Sequence, residues 1–107
     1  MLIYVFALNG VFDIGLASLL DVIGTANELG QREQSSLQLD MRLVGVRQEV
    51  HTAQGLSVPV TRVTALPRPD VVLLPALGSK MPQPLLAALT RPDVIEAGTW
   101  LRQWAAA

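Results

Sequence analysis

Apolar and polar positions change rhythm several times along this chain, and each rhythm predicts an element. Leu2 to Leu8 is an unbroken apolar run rich in β-formers. Strands covered on both faces read this way, and parallel strands usually are covered. Asn9-Gly10 is a turn signal. Phe12, Leu16, Leu19, Leu20 and Ile23 then recur at helical spacing, through about Leu29, with Gly30 as the expected stop. Gly15 and Gly24 weaken this helix, so packing must hold it.

Ser35-Ser36 opens a second strand, in which Leu37, Leu39, Met41 and Leu43 alternate with Gln38, Asp40 and Arg42. Period two predicts one buried and one wet face. Val50 to Val60 reads as a small hairpin with Gln54-Gly55 at its turn. Pro59 confines that piece to an edge or a bulge. Pro67-Arg68-Pro69-Asp70 is a stiff loop, and Val71 to Leu74 is a second wholly apolar strand. Pro75 to Ser79 forms the loop at its C-terminal end. A short helix is expected from Pro82 to about Thr90. Pro92 suits the first turn of a last helix, whose apolar face is Val94, Ala97, Leu101 and Trp104, with Trp100 beside it. Two apolar strands with helices between them predict an α/β fold, doubly wound around a mostly parallel sheet, with a small antiparallel hairpin.

Composition narrows the function. The 107 residues suit one domain, and half of them are apolar with 16% charged, so this is no disordered tail. From Met1 to Leu20 the only charge is Asp13. A secretory leader needs a cationic start, and the first Arg is Arg32. A mid-span Asp costs about 2.5–3.5 kcal/mol to insert. The segment therefore reads as strand and helix, with no membrane contact. Eight Lys and Arg are scattered singly and the net charge is −1, so the chain lacks the basic stripe of a DNA-binding module. With no Cys and a single His, His51, neither a thiolate site nor a His-based metal site or triad is expected.

Asn9-Gly10-Val11-Phe12-Asp13 lacks the later glycines of a dinucleotide fingerprint, and Lys80 has no glycine-rich lead of a phosphate loop. No cofactor is expected. Asp13 is the carboxylate of most interest among Asp13, Asp21, Glu28, Asp70 and Asp93, because open α/β sheets bind ligands just beyond their strands' C-terminal ends. Its other reading is a charge favoured by the helix dipole. Pro75 to Ser79 lies at the same edge, where its amides would face an anion or carbonyl. The expected ligand-contacting residues are Asn9, Gly10, Asp13, Ala76, Leu77 and Gly78. His51 reads as hairpin decoration. Trp100 and Trp104, four apart on one helix face, read as core or interface.

The quoted blocks carry a resemblance. LIYVFALNGVFDIGLASLLDVIGTAN and VVLLPALGSKMPQPLLAALTRPDV, with QEVHTAQGLSVPV between them, resemble the DJ-1/PfpI-like (class I glutamine amidotransferase-like) domain at the N-terminus of AraC-type transcriptional regulators. The resemblance covers nearly the whole chain and implies a flavodoxin-like fold. The superfamily's enzymes carry an acidic residue just inside the first helix, which falls on Gly15 here. Asp13 is two residues early, roughly 200° away around a helix. Their oxyanion glycine pair falls on Ala76-Leu77, and their nucleophile elbow would come after the last helix. The resemblance thus implies a non-catalytic regulatory domain, residues 1–107 being its first half, apparently truncated. The helix-turn-helix DNA-binding part would lie outside this chain.

The expected role is ligand sensing or dimerisation in the cytoplasm, with a second copy and a small-molecule effector as partners. The alternatives are a fragment of a DJ-1/PfpI-type hydrolase or deglycase, and a dimerising interaction protein. For self-association, Val72, Leu74, Trp100 and Trp104 are the expected interface residues, since the Val71–Leu74 strand would be left as an apolar edge.

Overall fold

The computed structural model describes residues 1–33 and 38–106. Its strands are β1 (Leu2–Phe6), β2 (Asp40–Gly45), β3 (Glu49–His51), β4 (Ser57–Pro59), β5 (Thr61–Arg62) and β6 (Val71–Leu73). Its α-helices are α1 (Asp13–Arg32), α2 (Pro82–Ala88) and α3 (Pro92–Ala105). Among the described residues the main sheet has the order β5-β2-β1-β6, and every pairing in it is parallel. β3 and β4 pair antiparallel in a separate two-stranded sheet. The fold is α/β, flavodoxin-like and doubly wound. The two apolar runs lie side by side: Ile3 stands opposite Val71, Tyr4 opposite Val72 and Val5 opposite Leu73.

Alternation across β1 explains its unbroken apolar sequence. Ile3 and Val5 pack with Leu16 and Ile23 of α1 on one face. Tyr4 and Phe6 pack with Ala97 and Trp104 of α3 on the other. Tyr4 meets Trp104 edge-on, with ring centroids 5.6 Å apart. Its hydroxyl donates to the carbonyl of Pro67. Burial pushes that hydroxyl's pKa up, against a smaller lowering by Arg42, with Asp40 adding slightly to the rise. Arg68 donates to the carbonyl of Trp104 at 2.5 Å, supplying a cation where α3 ends.

Several expectations need correction. α1 runs through Gly30 to Arg32. A glycine stop takes a left-handed backbone, and among the described glycines positive φ occurs at Gly10 and Gly55 instead. The Ser35-Ser36 opening and Leu37 lie outside the described residues. In β2, Leu39, Met41 and Leu43 do face α1. The opposite face is wet only at Asp40 and Arg42; beyond them Val44 and Val46 join the α3-side core. The C-terminal half of β2 is thus covered on both faces, Leu43 by the α1-side cluster and Val44 by the α3-side cluster. Asn27 ties α1 to the approach of β2, donating to Leu39 O at 2.6 Å and accepting from Leu39 N–H at 3.0 Å.

The second apolar run is less covered than the first. β6 is an edge, with Val71 36% and Leu74 50% exposed. Asp70 N–H donates to Leu2 O at 2.9 Å. Asp70, Val72 and Leu74 therefore turn their peptide groups toward β1, while Val71 and Leu73 turn outward. The flanking positions in the same phase are Pro69 and Pro75, both buried. No helix among the described residues is long and apolar enough to cross a membrane.

Candidate functional site

β1 continues into α1 toward β2 on one side, and β6 lies on the other side of β1. The crevice between the C-terminal ends of β1 and β6 is thus the point where the winding reverses, the usual ligand position of such sheets. The Asn9–Asp13 and Pro75–Ser79 loops do meet there. Phe12 N–H donates to Ala76 O at 2.8 Å, and Gly78 N–H donates to Gly10 O at 2.7 Å. These bonds place Val11 opposite Leu77 in an antiparallel bridge.

Sequence reasoning leaves the amides of this edge open to a ligand, whereas the structure joins several of them to protein. The Gly78 and Phe12 N–H groups are held by the bonds just described. The β3–β4 hairpin occupies the other side of Val11. Gly10 N–H donates to His51 O at 2.7 Å, and Ala53 N–H to Val11 O at 2.9 Å. Asn9 accepts the His51 N–H on its Oδ1 at 2.9 Å. Val11 ends wholly buried.

Asp13 belongs to this junction. Its Oδ2 accepts the Thr52 hydroxyl at 2.5 Å, and its Oδ1 accepts Gln54 N–H at 3.1 Å. Thr52 is buried, and its Oγ1 also accepts Leu56 N–H at 3.0 Å. Asp13 sits in the first turn of α1, where the helix dipole favours its charge. The carboxylate therefore closes a turn. His51 shares no pair with it: the His51 Nε2 lies 3.4 Å from Glu49 Oε1, both side chains being exposed. General-base activation of the Thr52 hydroxyl would have to come from Asp13 itself, which is committed to the turn.

Three residues of the junction escape sequence reasoning. Thr52 and Gln54 carry one weak signal, a hydroxyl beside the turn residues of a hairpin. Arg91 carries almost none. Its Nη2 donates to Asn9 O at 2.7 Å, and its Nε and Nη2 hold the two oxygens of Asp93 at 3.1 and 3.2 Å. Arg91 thereby fastens the start of α3 to the end of β1. Gly15, where the resembled enzymes are acidic, lies under Phe12: a Cβ there would come within 3.2 Å of that ring.

The expected interface residues separate. Trp104 is core, packed on Tyr4 and Phe6, so it offers no free face. Trp100 is half-buried beside it, with ring centroids 5.7 Å apart. Val72 is half-buried against the same cluster. Leu74 is exposed and begins a stretch in which Met81, Leu85, Leu86 and Leu89 are exposed as well. No family model matches this chain, and no curated protein matches it.

Proposed function

We propose that this chain is a non-catalytic regulatory domain of the kind that opens AraC-type transcriptional regulators, acting by ligand sensing or dimerisation. The observation that carries the reading is the state of Asp13. The Asp13 carboxylate, at the start of α1 beside the reversal crevice, has both oxygens committed to the hairpin turn. A hydrolase would need a nucleophile beside a free base at that position. The absence of Cys from the sequence and Gly15 at the acidic position agree with this reading. In it the protein is cytoplasmic, its partners are a second copy and a small-molecule effector, and DNA is contacted by residues outside this chain.

Assays on esters, peptides and α-oxoaldehyde adducts test the proposal. No turnover, with a saturable rise in melting temperature from a member of a small-metabolite panel, is the supporting outcome. Turnover that is lost in Asp13→Asn would overturn it, as would a salt-dependent gel shift of specific duplex DNA by this chain alone.

A second reading, a dimerising interaction protein, draws on the apolar stretch from Leu74 to Leu89. Its exposed members are Leu74, Met81, Leu85, Leu86 and Leu89, and its only charge is Lys80. Exposed apolar residues gathered along one stretch of chain are candidates for an association site. A second copy of this chain is the partner in that reading.

A further inference from the structure

The β3–β4 hairpin is attached to the rest of the molecule unevenly. At its base, Val60 N–H donates to Gln48 O at 3.0 Å, and Gly45 permits a close approach: a Cβ on it would lie 2.9 Å from Val60 Cγ2. Arg47, beside that base, pairs with Glu96 of α3 at 2.5 Å. At its tip the attachment is polar. The hairpin's apolar anchors are Val50, which is buried, and Val58, which packs against the α1-side cluster; beyond them Ala53, Gln54, Gly55 and Leu56 are exposed, and the buried Thr52 meets Asp13 through its hydroxyl. Segments held by few apolar contacts open before the core does.

We propose that this hairpin is a hinged strap along the side of Val11 that faces away from Leu77, latched by Asp13 and seated at its tip on Gly78, and that it swings open while the sheet stays folded. The seat is steric. A Cβ built on Gly78 would collide with the Cβ of Ala53, so the tip reaches its closed position only over a glycine. The latch is the Asp13 carboxylate, which gathers the Thr52 hydroxyl and the Gln54 N–H. Opening frees the Val11 carbonyl and the Gly10 N–H, now bonded to Ala53 and His51, on the hairpin side of Val11, while the Val11–Leu77 bridge stays in place. The inference concerns motion and stands whether or not the regulatory reading does.

Residue-resolved amide hydrogen exchange tests it on the whole chain. In the wild type, the Ala53 and Gln54 amides should exchange by an opening that leaves Tyr4, Val5 and Phe6 of β1 protected. Thr52→Val removes the latch hydroxyl at nearly constant shape. Gly78→Ala blocks the seat without touching the latch. Each should speed exchange at Ala53 and Gln54 by about tenfold or more relative to β1. Leu56 is not a reporter for Thr52→Val, because that change removes its own acceptor. The inference is overturned if tip and sheet exchange at one common rate in the wild type. It is equally overturned if a variant that leaves β1 exchange at the wild-type rate also leaves tip exchange within about threefold of wild type. A variant that loosens the whole fold moves both sets together, and the other variant then decides.

Discussion

On the α3 side of the sheet, Tyr4, Phe6 and Trp104 lie buried against one another, while along residues 74–89 Leu74, Met81, Leu86 and Leu89 are half exposed or more. Both regions are rich in apolar residues. The first has α3 lying across it, with Ala97 and Trp104 turned inward. The second has α2, a seven-residue helix whose buried residue is Ala88. Apolar sequence states a demand for cover; only topology states where the cover comes from.

The strongest way to break this comparison is Trp104→Ala. If the aromatic face holds the fold, the variant should lose about 3–5 kcal/mol, read from the denaturant midpoint. A loss below about 1 kcal/mol would put Trp104 on the periphery. Tyr4→Phe sharpens the same side. It removes the hydroxyl that meets Pro67 and should cost about 1 kcal/mol near neutral pH. Burial raises the Tyr4 pKa in the folded state, so the unfolded chain loses its proton first. Stability tied to this hydroxyl is complete below about pH 10 and falls as pH rises through the folded value. Wild-type stability should decline there more steeply than that of Tyr4→Phe, as melting temperatures against pH would show. The smallest effect on stability belongs to the other side. Leu86→Glu should change unfolding free energy by no more than about 0.5 kcal/mol. If the exposed stretch joins copies, that substitution lowers the sedimentation coefficient at tens of micromolar protein; if wild type and variant both sediment as the 11.5 kDa chain, the stretch has no such role.

Much of the fold is legible because its signals are long and local. The apolar run at Leu2, the helical spacing from Phe12 to Ile23 and the prolines that start α2 and α3 each point to what forms. β5 is not legible. It is two exposed residues, Thr61 and Arg62, placed in the sheet by parallel pairing with Val44 and Gly45. The site divides the same way. That Asn9–Asp13 and Pro75–Ser79 meet follows from the winding of two recognisable strands. That the hairpin joins them does not, because Thr52 and Asp13 stand 39 positions apart. A hydroxyl and a carboxylate at that separation leave no periodic trace in the sequence.

The register of β6 bears on how this protein avoids becoming a fibre. A sheet grows at its rim when an incoming strand finds a donor at every second residue. Along this rim only Val71 and Leu73 turn an N–H outward; at the next positions in phase the buried Pro69 and Pro75 have no N–H to offer. An arriving chain therefore finds a landing site of two residues, too short for propagation even though its side chains are wholly apolar. Two prolines placed in phase with the strand confine the hazard that the leucines and valines create. Pro75→Ala should lift that restraint, visible as faster thioflavin-positive growth on prolonged incubation with little change in the melting temperature.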